Sequence, residues 1–230
     1  MSPILSHLAA ATCGMLVTLA LLGPHLHALR RRSAAAVHDA THDALTGLPN
    51  RRSVLAHLRA ATRHGEQVGV VLFDLDNFKA VNDTPGVGHA GGDALLRQVA
   101  RLLQAQPAPV RLTGRLGGDE FVIVVDGDAD TTGAVAHEIC DLITGAPFTV
   151  AGHVFDIAAS VGHASSRLGL TARDLLHYAD LAMYDAKDAG GGVSAYRRIP
   201  ADPEVVDRPA QRCRDRRHQP RTDDSPPRHT

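Results

Sequence analysis

Seven residues constrain this chain more than any others: Arg115-Leu116-Gly117-Gly118-Asp119-Glu120-Phe121. They lead into Phe121-Val122-Ile123-Val124-Val125, a β-branched apolar run that reads as a buried strand. Val110 to Arg115 reads as its partner. The two glycines then form a hairpin turn, because glycine adopts the positive φ angles that tight turns demand. Two carboxylates follow on that turn, where backbone and ligand can approach closely. Adjacent acids suit a hard cation such as Mg²⁺, and through it a phosphate substrate. A solvated acidic hairpin tip is the other reading, and acidic turns are common.

A second acidic pair lies upstream. Val68 to Phe73 reads as a buried strand ending in Asp74-Leu75-Asp76, and period-two alternation puts both aspartates on one face. Asn50 is placed to cap a helix over Arg51–Thr62. Phe78–Asn82 reads as a short helical turn, followed by a loop to Gly92 and an amphipathic helix over Asp93–Gln104. Gly86-Val-Gly88-His-Ala-Gly91 matches a dinucleotide-binding fingerprint, but no strand precedes it directly and the next strand enters a hairpin, so that reading is rejected. Further along, the pattern predicts a helix over Thr131–Ile143 and strands at Phe148–Val150 and Val154–Val161. A helix over Leu170–Lys187 follows, with Thr171 as its cap, and Val193–Tyr196 reads as a last strand.

The ends differ from the middle. Residues 4–22 carry no charge and approach the about 20 residues that span a bilayer. Arg30-Arg31-Arg32 follows, so the positive-inside rule places the remainder on the cytoplasmic side of a plasma membrane, as a single-pass protein. From Pro200 onward the chain holds six of its thirteen prolines and few large aliphatics, too little apolar surface to offset ordering entropy, so 199–230 reads as a disordered tail. The expected organisation is a transmembrane anchor with basic flank over 1–32, a linker over 33–41, and a folded domain over 42–198. A net charge of -1 gives no signature for a nucleic-acid partner. Cys13, Cys140 and Cys213 follow no zinc or redox spacing, and His38 and His42 share a helix face without a third ligand.

Six stretches, taken in order, resemble the GGDEF family of diguanylate cyclases: Asp43-x-Leu-Thr-Gly-Leu-Pro-Asn-Arg51, Asp74-Leu-Asp-Asn-Phe-Lys-Ala-Val-Asn-Asp83, Gly88-His-x-x-Gly-Asp93, Arg115-Leu-Gly-Gly-Asp-Glu-Phe121, Ser160-Val-Gly162 and Ala179-Asp-Leu-Ala-Met-Tyr-Asp-Ala-Lys187. The resemblance implies an α/β, palm-like nucleotidyl cyclase domain: a mostly antiparallel five-stranded sheet flanked by helices. It implies condensation of two GTP to cyclic di-GMP with release of two pyrophosphates, by a homodimer with one GTP in each domain.

The resemblance also implies roles. Asp74, the Leu75 carbonyl, Asp119 and Glu120 match the ligands of Mg²⁺, with Mn²⁺ as the alternative ion. Glu120, like Asp119, is implied in catalysis. Asn82 and Asp93 match the guanine-binding pair, and His89 lies beside the base. Asn77 and Phe78 offer backbone N–H groups to phosphates, and Lys79 and Lys187 are the phosphate cations. Three departures stand out. Gly191 replaces the usual phosphate-binding Arg, which predicts weaker GTP binding unless Arg197 or Arg198 substitutes. Gly86-Val87 lengthens the loop before His89. Ala108-Pro-Val-Arg111 lacks the Arg-x-x-Asp inhibitory motif, which predicts little product inhibition. A GTP-binding regulatory module without activity and a cyclic di-GMP receptor are the competing functions.

Overall fold

The computed structural model describes residues 22, 25, 27–32, 36–145, 147–166 and 170–196. The anchor over 4–21 and the tail from residue 197 lie outside the described residues. So do Arg197 and Arg198, the proposed substitutes for the missing Arg. Among the described residues no helix is long and apolar enough to cross a membrane.

Helical residues 36–41 lead into the turn Asp43–Leu48. The elements that follow are α1 (Arg51–Arg63), β1 (Val68–Leu75), α2 (Phe78–Asp83) and α3 (Gly88–Gln104). Then come β2 (Val110–Gly117), β3 (Glu120–Asp126), α4 (Ala129–Thr144), β4 (Phe148–Val150) and β5 (His153–Phe155). The last three are β6 (Ala159–Ser165), α5 (Ala172–Asp188) and β7 (Gly192–Ala195). The main sheet has the order β2-β3-β1-β6-β7. All its pairings are antiparallel except β6–β7, which is parallel.

Helix starts follow their caps. The Asn50 side chain accepts from the N–H groups of Arg52 and Ser53, as expected for its position before α1. Asp128 caps α4 in the same way. Thr171 and Asp174 form a reciprocal capping box at α5, directly before its buried stripe begins at Ala172.

Strand alternation sends two cores to opposite faces of the sheet. Val71, Phe73, Leu75, Phe121, Ile123 and Val125 face α3 and α4, with Leu95, Val99, Leu103, Ile139 and Ile143. Val68, Val70, Leu72, Val122 and Val124 face α1 and α5, with Val54, Leu58, Leu175, Ala179 and Met183. Both faces of β1 are buried, hence its nearly unbroken apolar run.

Two expected elements change. The helix expected at Asp93 begins at Gly88, five residues earlier. Gly91 and Gly92, which weaken a helix by propensity, are buried inside it against Val87 and Asn82, so packing overrides the local preference. Asp93 is consequently not a cap. The strand expected over Val154–Val161 is two: β5 pairs only with β4, in a separate two-stranded sheet, and after a corner at 156–158 β6 joins the main one.

Candidate active site

The ends of β1 and β3 bring together acids distant in sequence. Asp74 and Glu120 are direct cross-strand partners, and the Leu75 N–H lies 3.4 Å from the Asp119 carbonyl it donates to. Asp74 and Glu120 follow the alternation of Leu72 and Val122, on the face covered by α1 and α5. Like charges directly opposite in a ladder are destabilising, and these are not at the surface: Asp74 is 9 % exposed. Lys187, in the last turn of α5, donates to Asp74 Oδ1 at 2.5 Å.

That one cation does not balance the site. Burial pushes the Asp74 carboxyl above its ordinary range. The Lys187 bond opposes the shift, while the charges of Asp119 and Asp76 add to it. Glu120 is raised too, first by burial, then by Asp74 and Asp180, with Arg51 in opposition. The surplus is negative and the donors are hard oxygens, which fits a divalent hard cation. Among the described residues no three His, Cys, Asp or Glu side chains form a ready-made cage. Mg²⁺ commonly binds through one or two carboxylates with substrate phosphates and water completing its shell, and this donor set fits that habit.

The turn itself is strapped. Gly117 (φ 144°) and Gly118 (φ 58°) take conformations that side chains disfavour. Arg115, 9 % exposed, donates from Nε and Nη2 to the Gly118 carbonyl at 3.0 and 2.6 Å. Its Nη1 donates to Asp43 Oδ1 at 2.7 Å. That oxygen also accepts from the Thr46 N–H and hydroxyl. Burial alone would raise the Asp43 carboxyl, but the bonds from Thr46 and Arg115 outweigh it and hold it low. The acidic turn is thus tied to the segment that opens the domain.

The phosphate and base candidates occupy the neighbouring elements. Asp76, just past β1, accepts from the buried Ser160 hydroxyl at 2.8 Å, and its N–H donates to the Ala158 carbonyl. Gly191 stands beside it at φ 108°, and a Cβ there would lie 3.4 Å from Asp76 Oδ2. The backbone here is in a conformation that favours glycine, so an Arg introduced at this position would be strained. Asn77 is left-handed (φ 56°) at the start of α2, where the first N–H groups have no intrahelical acceptor. Phe78 is half-buried, and Lys79 lies on the exposed side of α2.

The Asn82 side chain packs against Gly92, the residue before Asp93: a Cβ on Gly92 would fall 2.0 Å from Asn82 Oδ1. His89 is exposed on α3, four residues before Asp93 and so on the same side of the helix. Gly86 and Val87 lie directly before α3, which starts at Gly88. The stacked His38 and His42 rings, 4.0 Å apart, lie in the segment before Asp43, away from the acids.

Sequence reasoning gave no role to Asp43, Arg115, Asp76 or Ser160, although each lies in a stretch that carried the resemblance. The signal was present: a charged or polar residue at a fixed place in an apolar context. The partner was not, since Asp43 and Arg115 are 72 positions apart, and Asp76 and Ser160 are 84.

The family model "Diguanylate cyclase, GGDEF domain" matches residues 40–192. "Diguanylate cyclase TpbB" of Pseudomonas aeruginosa is 35% identical over 192 residues, which cover 77% of this chain and 42% of that protein. "Diguanylate cyclase DgcS" of Shewanella oneidensis is 33% identical over 175 residues, covering 74% of this chain and 56% of that protein. The chain thus spans less than two thirds of the length of these curated relatives. Among solved structures, the coiled coil and GGDEF domain of DgcB from Caulobacter crescentus, in complex with c-di-GMP, matches with a TM-score of 0.70 and 28% identity. That match covers 79% of this chain and 98% of the other. With acids at the β1–β3 end, a glycine-built turn leading into β3 and relatives of this kind, the chain belongs to the GGDEF family of diguanylate cyclases.

Proposed function

We propose that the chain is an active diguanylate cyclase that joins two GTP molecules into cyclic di-GMP. The observation that carries this is the meeting of Asp74, Asp119 and Glu120 at one sheet end, with Lys187 on Asp74. Asp74, the Leu75 carbonyl, Asp119 and Glu120 would hold Mg²⁺. When bound, the ion supplies charge neutralisation at the triphosphate and at the attacking oxygen.

The chain's own residues do the rest. Asn82 and Asp93 read guanine, since a carboxylate accepting from N1–H and the N2 amino group selects against adenine, which lacks that pair of donors. Lys187, with Lys79 and the N–H groups of Asn77 and Phe78, holds phosphate oxygens. Each 3′-hydroxyl attacks the α-phosphorus of the other GTP. One P–O bond forms and one breaks in each half, and a pyrophosphate leaves. Glu120, opposite Asp74 at the end of β3, would assist metal binding or activation of the attacking hydroxyl. Since each domain holds one GTP, the active unit is a homodimer. The chain as a whole is a single-pass plasma-membrane protein with its domain in the cytoplasm, anchored by the apolar stretch over 4–22.

The test is to incubate the full chain with GTP and Mg²⁺ over a range of protein concentrations and assay cyclic di-GMP. Product whose specific rate rises with concentration, and that vanishes in Asp119→Ala, supports the cyclase reading. GTP binding without product supports a regulatory module, the reading that Gly191 favours.

A further inference from the structure

The Ser160-Val161-Gly162 stretch of β6 has no part in the chemistry above. Ser160 orients Asp76. Gly162 touches no ligand candidate, but it is a place where the backbone of α5 lies directly against the sheet. A Cβ on Gly162 would fall 2.0 Å from the Met183 backbone nitrogen, 2.3 Å from the Ala179 carbonyl oxygen and 2.6 Å from Met183 Cα. All three are backbone atoms of α5, so no change of rotamer can make room. A side chain here would push the helix itself outward.

The helix carries Lys187 to Asp74. Gly162 pairs with Leu72 across the β1–β6 ladder, and Ser160 with Asp74. Two residues along β6 therefore lead from the contact to the acid, about 6.7 Å. On α5, four residues lead from Met183 to Lys187, about 6 Å. The two paths match in length, so the height of α5 at Gly162 is carried one turn on to the root of Lys187. Around it Ala179 and Ala182 are fully buried and small, which leaves no slack between helix and sheet.

We propose that Gly162 is a positioning residue for the phosphate site: its missing side chain seats α5 at the height from which Lys187 reaches Asp74. The role of Lys187 rests on the cyclase reading above; the seating of α5 does not. A lysine stem can bend to follow a shift, so displacement of the helix gives a graded loss. Misplacement of a site by about 1 Å from a distance can cost as much as about a hundredfold in rate.

A double-mutant cycle on the full chain decides it. Gly162→Ala is expected to lower kcat/KM for GTP by about 10- to 100-fold with Lys187 present. In a Lys187→Ala background the same change is expected to cost less than about twofold, because the group it displaces is already gone. Gly69→Ala is the control. It overpacks the other face of the sheet, where a Cβ would meet Thr132 Oγ1 of α4 at 1.9 Å, and it should lower thermal stability while leaving kcat/KM unchanged. Equal loss from Gly162→Ala in both backgrounds overturns the proposal, since Gly162 would then serve the fold alone. If Gly162→Ala does not fold, Ala179→Val enters the cycle instead, lifting the same turn from the helix side, with the same two outcomes. If the unmodified chain makes no cyclic di-GMP, the cyclase reading fails by itself. The cycle is then read on GTP affinity, where additivity overturns the proposal and non-additivity sustains it.

Discussion

The two ends of the β1–β3 pair are built from the same backbone and opposite electrostatics. At the end near Val68, Arg111 of β2 lies 2.6 Å from both Glu66 and Asp126. Each charge there has a partner and the groups are partly exposed. At the other end Asp74 faces Glu120, Asp119 and Asp76 stand close by, and Lys187 is the cation bonded to Asp74. Burial first, then the neighbouring negative charge, pushes the Asp74 and Glu120 carboxyls up rather than down. One end looks like an ordinary surface, while the other holds charge that the fold alone does not neutralise. Uncompensated buried charge costs stability, so its presence marks a place shaped for a ligand.

The strongest way to break this contrast is to remove an acid at the crowded end. Asp119→Ala should cut cyclic di-GMP formation by at least about a hundredfold, the scale of losing one group that stabilises the transition state. The circular-dichroism spectrum should not change. Retained activity would end the assignment of the turn.

Glu120→Gln separates function from stability. It too should lose most activity, yet it removes a like-charge cross-strand pair. The metal-free chain should therefore gain about 0.2–1 kcal/mol, seen as a melting temperature higher by roughly 1–4 °C. A lower melting temperature would mean that Glu120 is compensated after all.

The pH dependence sharpens the point. Asp74 and Glu120 have raised values in the folded chain, so the folded state holds protons more tightly than the unfolded one. Their favourable contribution is full below the ordinary carboxylate range, near about 4, and is lost as pH rises through the raised values. Asp43, held low, has the opposite sign: its contribution is present above that range and is lost on acidification. Melting curves of metal-free protein should show the loss on the alkaline side shrinking in Glu120→Gln and on adding Mg²⁺. A profile indifferent to both would remove the electrostatic argument.

At the matched end effects should be small. Arg111→Ala should cost under about 1 kcal/mol, as exposed ion pairs do, and leave kcat/KM unchanged. A large loss of activity there would mean that the two ends are not separate.

Much of this was legible in the sequence. The run Phe121–Val125, the glycine turn, the caps Asn50 and Thr171 and the strand ending at Asp74 are local features, and they form where expected. What was not legible depends on contact. Gly91 and Gly92 read as loop because their propensity is poor, and only Val87, Val150 and Asn82 pressing on them make them helix. The break between β5 and β6 reflects a strand leaving one sheet for another, which no periodicity encodes. The Arg115 strap joins residues that only the fold brings near. Gly191 reads as a lost side chain, and only the fold shows that its backbone sits at φ 108°, a conformation that favours glycine.

The sheet also divides inheritance. Asn82, His89 and Asp93 belong to α2 and α3, packed on one face, while Asp74, Glu120 and Lys187 belong with α1 and α5 on the other. Under the proposed roles, two helices can drift to favour a different base while the acids stay where they are, and the reverse holds equally. A lineage with this architecture can revise what it recognises and how fast it reacts on separate schedules, with β1 as the seam between them.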